Sequence, residues 1–215
     1  MKKSFLLLSV LTSLSFSVIL GCVQPEIAPG NKPNPNASAT PSNNSVLTPS
    51  QKILTEDDFT VNKSVSINPL AIEKNMARLS GTIVNVSTTY EGWPKERLTD
   101  GDIQTSWFTA VGDAANLGKS PFVQIIFPQP IKIQGINFRG NREYKVNYDV
   151  LEGILSLTDK VGKNYVYTVK LPMPDRDFDV TFKNKINDIV ELKFTFTKDQ
   201  SDEPGFAEIE VDGSK

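Results

Sequence analysis

The chain has 215 residues, is 22% charged and 39% hydrophobic, and carries a formal net charge of −2. It contains no histidine and one cysteine. That excludes histidine-based triads, histidine-ligated zinc, cysteine-ligated metal clusters and any intramolecular disulfide; with neither a basic run nor an acidic tail, it also lacks a phosphate-binding patch for nucleic acid.

The length suits one domain with extensions. At the N-terminus Lys2 and Lys3 precede an apolar stretch, Phe5 to Leu20, which ends at Gly21-Cys22. A charged start, an apolar core and a small residue before the cut describe a secretory signal peptide over residues 1–21. The ending Val-Ile-Leu-Gly-Cys is similar to a bacterial lipobox, in which the cysteine becomes the lipidated first residue. A lone exported thiol is otherwise a liability, so lipidation of Cys22 is the expectation, with anchoring to the bacterial cell envelope, outer membrane or cell surface. Residues 22–52 are rich in Pro, Asn, Ser and Thr and poor in large apolar side chains. They are expected to form a disordered tether spanning ~30 Å.

From Ile53 to the C-terminus the pattern is alternation, and residues 53–215 read as one β domain. Apolar residues fall on every second position at Tyr144, Val146, Tyr148 and Val150, at Tyr165, Tyr167, Val169 and Leu171, at Phe178, Val180 and Phe182, and at Leu192, Phe194 and Phe196. Period two with β-branched and aromatic residues marks strands with one buried face. A short run at Asn68–Met76 supplies a helical turn or two at most. Ile131 and Ile133 are out of phase with Ile136 and Phe138, which predicts a β-bulge at Gly135. The expectation is an all-β sandwich.

Three segments carry a family resemblance: RLTDGDIQTSWFT at 97–109, PFVQIIFPQPIKIQGINFRG at 121–140 and PGFAEIEV at 204–211. Together they resemble the galactose-binding-like superfamily of discoidin domains, coagulation factor 5/8 type C domains and bacterial carbohydrate-binding modules, over Ala77 to Val211, and the resemblance implies that the sandwich is an antiparallel jelly roll.

Asp100 and Asp102 are hard oxygen donors flanking a glycine that permits a tight turn, and Thr105 offers two further oxygens. In the closing strand Ala207, Ile209 and Val211 alternate toward the core, so Glu208 points the other way and can cap the loop. The resemblance implies a structural Ca²⁺ there, with the carbonyls of Arg97 and Ala207 completing the shell. The competing reading is an Asx turn with solvated carboxylates. Trp107 leads from the loop into a strand and reads as core.

Sugar-binding relatives use loops at one end of the sandwich, with an aromatic face and Arg, Asn or Glu side chains. By that resemblance Trp93, Arg139, Asn141, Arg142 and Phe206 are candidate ligand contacts, with Tyr90, Glu143 and Tyr144 nearby. Arg142 and Glu143 could instead pair with each other on a solvated edge. The run Asp175-Arg176-Asp177 departs from the family pattern and reads as an ion-paired turn or a second polar patch. The expectation is a non-catalytic, surface-displayed glycan-binding module. The alternative is a protein- or lipid-binding adhesion or envelope-structural module. A carboxylate-based glycosidase needs two facing carboxylates in a cleft, and Asp175 and Asp177 alternate along one segment.

Overall fold

The computed structural model describes residues 50–66, 68–143, 149–171 and 177–215. The leader, Cys22, the tether through residue 49, Tyr144, Val146 and Tyr148, and Asp175 and Arg176 lie outside the described residues. The strands are β1 (Gln51–Ile53), β2 (Phe59–Lys63), β3 (Ile83–Val86), β4 (Trp107–Phe108), β5 (Phe122–Gly140), β6 (Val150–Asp159), β7 (Asn164–Lys170), β8 (Asp177–Asp199) and β9 (Gly205–Ser214). Helical structure among the described residues is limited to the 3-10 turns Met76–Arg78, Lys95–Leu98 and Ala115–Leu117.

Two long strands, β5 and β8, pass through both layers of the sandwich. The first half of β5 (Phe122 to Ile126) pairs with β3 and with the end of β8, which in turn pairs with β6. The second half (Gly135 to Arg139) pairs with the start of β8 and with β9, while β2 and β4 form the edges of that layer. Among the described residues every strand pairing is antiparallel except that of β1, which runs parallel to β7. This one parallel edge is not legible from alternation, which fixes the buried face but not the neighbour.

The slip at Gly135 is where the structure turns. Register shifts fall between Ile133 and Gly135 against both β8 and β9. Ile131, Ile133, Ile136 and Phe138 are consequently all buried despite their phase change. A Cβ on Gly135 would lie 2.9 Å from the Val180 carbonyl oxygen, so the bulge closes too tightly for a side chain.

The core is aromatic. Phe138 stacks on Phe178 with centroids 5.0 Å apart, and packs against Phe194 at 4.7 Å and Phe206 at 5.5 Å. Trp107 meets Phe196 edge-on at 6.4 Å. Burying each such ring contributes about 1.5–3 kcal/mol, and the edge and offset geometries add to that.

Candidate functional site

The acidic turn is stretched between two fully buried anchors, Leu98 and Trp107. Between them Gly101 takes φ +84°, and a Cβ there would run into the Arg78 guanidinium. Glycine is therefore required both by the backbone and by the arginine that packs on it. The Asp100 carboxylate accepts from the Asp102 N–H at 2.7 Å, and Asp102 Oδ1 accepts from the Gln104 N–H at 2.9 Å. Both aspartates thus form Asx-type turns. The side chain of Asp102 is committed to its own loop.

Other oxygens of this turn converge. Thr105 Oγ1 lies 3.2 Å from Asp100 Oδ2 and 3.1 Å from the Asp102 carbonyl oxygen. Neighbouring oxygens on a calcium shell of radius about 2.3–2.6 Å sit at a similar separation. From β9, the fully buried Glu208 carboxylate accepts the Gly101 N–H with both oxygens at 3.1 Å. Burial pushes the Glu208 carboxyl up to about 8, with the nearby Asp100 and Glu210 charges adding to the rise. The Gly101 N–H and the Arg78 guanidinium only partly oppose it. A buried carboxylate short of positive charge, near a second carboxylate that itself bonds the Thr105 hydroxyl, fits a hard cation. Among the described residues no three His, Cys, Asp or Glu side chains converge, so an ion here would rest on two carboxylates together with hydroxyl and backbone oxygens.

Beside this turn lies a polar cluster built by the end of β5. Glu143 accepts from the Ser106 N–H at 2.6 Å and from Arg97 Nη1 at 3.1 Å, while Arg97 Nη1 also reaches the Ser106 carbonyl at 3.1 Å. Arg142 donates its N–H to Ser106 Oγ at 3.3 Å and its Nη1 to the Gly140 carbonyl at 2.8 Å, and its Nη2 pairs with Asp177. Arg142 and Glu143 therefore do not pair with each other: both bond Ser106, while Arg142 is further held by Asp177 of β8 and Glu143 by Arg97. Trp93 is half-buried, edge-on to Tyr90 at 5.2 Å and to Phe108 at 6.1 Å. Trp93 and Arg97 are joined by the 3-10 turn Lys95–Leu98.

Three candidate ligand contacts are placed elsewhere. Phe206 is in the aromatic core, because β9 is covered on both faces. Arg139 is buried, with Nη2 2.8 Å from Glu210 Oε2, Nη1 2.6 Å from Ser64 Oγ and Nη1 3.3 Å from Asp179 Oδ1. Asn141 is buried and donates to Asp149 Oδ1 at 3.0 Å. None of the three faces solvent, which removes them as direct sugar contacts. Sequence reasoning missed Glu210, whose charge is the reason Arg139 turns inward, and Arg78, which comes from a distant segment. It also missed Asp199, a buried carboxylate that accepts from the Ala115 and Asn116 N–H groups at 2.6 and 3.1 Å and pins the 109–118 loop.

Solved structures place this architecture. A family 32 carbohydrate-binding module of Clostridium perfringens NanJ, in complex with galactose, aligns at 18% identity over 60% of this chain and 92% of the module, with a TM-score of 0.53. A Bacteroides fragilis F5/8 type C domain aligns at 19% identity over 63% of this chain and 93% of the domain, with a TM-score of 0.53. The fold is the discoidin-type, galactose-binding-like sandwich. A histidine mutant of the lectin-binding domain of lectinolysin, complexed with Lewis b, shares the discoidin-type fold at 16% identity, 66% and 96% coverage and a TM-score of 0.53. No family model and no curated protein matches the sequence. Within this fold the Asp100–Thr105 turn and Glu208 tie an early loop to the last strand, and the Arg97–Glu143 pair meets the same loop at Ser106.

Proposed function

We propose that this chain is a non-catalytic glycan-binding module, displayed on the bacterial envelope from a lipidated Cys22 and stiffened by a structural Ca²⁺. The observation that carries the reading is the cluster of Arg97, Glu143 and Arg142, joined through Ser106, with Trp93 just before the 3-10 turn that carries Arg97, on a fold shared with modules solved with galactose and Lewis b. The exposed part of the Trp93 indole offers a flat apolar surface on which a sugar's C–H face stacks. The two guanidinium groups are held rigid by Glu143 and Asp177. They therefore present remaining donors to paired hydroxyls at little ordering cost. Calcium would be held by Asp100, Thr105 and Glu208, with backbone oxygens of Arg97, Asp102 and Ala207. When bound it supplies positive charge to the buried Glu208 carboxylate and fixes the loop that carries Arg97.

The test is retention on arrayed galactose- and Lewis b-terminated glycans by the full-length protein, with and without EDTA. Trp93→Ala and Arg142→Ala should each weaken retention about tenfold, equivalent to a loss of roughly 1.4 kcal/mol. Retention indistinguishable from buffer, or equal retention by wild type and both variants, would reject the glycan reading.

A further inference from the structure

A second feature lies along the edge of β7, on the layer that does not contain β9. The Leu171 N–H donates to the Leu151 carbonyl at 2.8 Å, and Val169 and Tyr167 oppose Gly153 and Leu155 in the same antiparallel ladder. Odd-numbered residues of β7 therefore turn their backbone groups toward β6. Even-numbered ones face the opposite edge, where Asn164 donates to Ser50 at 3.0 Å and Val166 accepts from Leu54 at 2.9 Å. β1 covers this edge only as far as Val166, because the chain leaves it after Leu54. Thr168 and Lys170 continue the edge, both exposed, and among the described residues no strand pairs with them there. Their N–H and C=O groups repeat at strand spacing, and a second extended backbone satisfies such a row directly.

The space beside this edge has a defined shape. A groove of about 870 Å³ runs between β7 and β2, lined among others by Ile53, Leu54, Phe59, Val61, Ile154 and Tyr167. Its floor is the Phe59–Tyr167 ring pair, with centroids 4.7 Å apart. Ile53 and Ile154 are 71% and 38% exposed at its sides. Just beneath the floor the Tyr167 hydroxyl has no hydrogen-bond partner among the described residues, and burial raises its pKa well above the usual tyrosine range, so it remains a neutral donor. The ends of the groove carry opposite charges. Glu56 stands on the loop that closes it next to Leu54, and Lys170 stands at its open end. Neither makes an ion pair among the described residues.

We propose that this groove takes an extended peptide segment of a partner protein, added parallel to β7 in line with β1. Alternate residues of the peptide bond Thr168 and Lys170, their apolar neighbours lie on the Phe59–Tyr167 floor, and an acidic side chain meets Lys170. The direction follows from charge: the basic or N-terminal end of the segment belongs at Glu56 and its acidic end at Lys170. About four residues cover the open edge, at roughly 3.3 Å each. Backbone bonding supplies affinity in this mode, and the pockets for alternate side chains supply selectivity. The groove is separate from Trp93 and the Arg142 cluster, so a sugar held there leaves it accessible.

The test uses the full-length protein and a phage-displayed library of random linear peptides, about nine residues long to exceed the four-residue edge. Enriched sequences should alternate apolar and polar residues and end in Asp or Glu. In fluorescence anisotropy, N-methylation of the peptide at the residues bonding β7 should weaken binding about tenfold, the effect of losing one or two hydrogen bonds. Methylation of the intervening residues should change it little. Lys170→Glu should weaken binding about fivefold, as expected for one partly exposed charge pair, and a peptide with Lys in place of its acidic residue should recover it. Backbone methylation leaves the protein untouched, so a folding defect cannot mimic the result. Failure to enrich any peptide, insensitivity to the methylation pattern, or equal binding by Lys170→Glu would each overturn the proposal. Concentration-dependent dimerisation that protects the Thr168 and Lys170 amides without peptide would also overturn it, by making a second copy the occupant.

Discussion

Glu208 is a carboxylate that the fold has taken out of water without giving it a full counter-charge, and its pH response follows from that. Its folded value is raised to about 8 from an ordinary 4.5, first by burial. Between those values the folded state binds more protons than the unfolded one. Stability in calcium-free buffer should therefore be fully present below about pH 4.5 and be lost progressively as pH rises to about 8. Calcium favours the ionised form and should flatten that slope while raising the melting temperature. Glu208→Gln should lose the calcium response and the steepest part of the slope, leaving only what the raised Asp199 and Asp212 carboxyls contribute. Melting curves from about pH 5 to 8, in EDTA and in excess calcium, check this; an EDTA curve without slope would remove Glu208 from the site. Arg139 gives the opposite kind of test. It forms a buried ion pair with Glu210, and removing one partner of such a pair costs about 3–5 kcal/mol. Arg139→Met should lower stability in urea by that order, and Arg139→Met with Glu210→Gln should recover part of the loss. If the single variant is as stable as wild type, the pair is not structural. The acidic turn was legible because Asp100, Gly101, Asp102 and Thr105 are local in sequence. Arg139 was misread because its partner is 71 residues away and only β5–β9 pairing brings the two together.

At the level of elements, alternation carried most of the fold. Phe178, Val180 and Phe182, and Leu192, Phe194 and Phe196, are all buried, as a period of two requires when one face meets the core. The phase change around Gly135 was readable too, because a register slip needs an extra residue and glycine is the residue that tolerates its close approach. What alternation does not encode is the covering of the second face. β9 alternates Ala207, Ile209 and Val211 with Glu208 and Glu210, a pattern that reads as one solvated side, yet both faces are buried. The acidic turn lies over Glu208, while Arg139 and the Leu70 N–H meet Glu210. Loops supply that cover, and loop placement depends on contacts far apart in sequence. The same reasoning explains β1: three residues are too few to show a period, so its pairing with β7 was unreadable.

For the molecule as a whole, the proposed role joins a lipid at Cys22 to a binding surface at one end of the sandwich. Cys22→Ser should move the protein from the membrane to the soluble fraction, or leave it as an uncleaved precursor, in a fractionation followed by immunoblotting. Normal processing with retention in the membrane would refute lipid attachment at that residue. Several acyl chains together give firm anchoring where one is marginal, so the expected change is large and not a partial shift.

The chain enters the sandwich through β1, which the Ser50 and Leu54 backbone contacts hold along β7. A mechanical load arriving through the residues before Ser50 is therefore delivered lengthwise to a three-residue strand. It meets β1 before it meets β2, whose five residues are paired along their length with β8. The short ladder yields first, and each residue it releases lets out roughly 3.3–3.6 Å of slack. Under such a load the domain would lengthen by giving up its three-residue edge strand before the pull reached β2 and the aromatic interior.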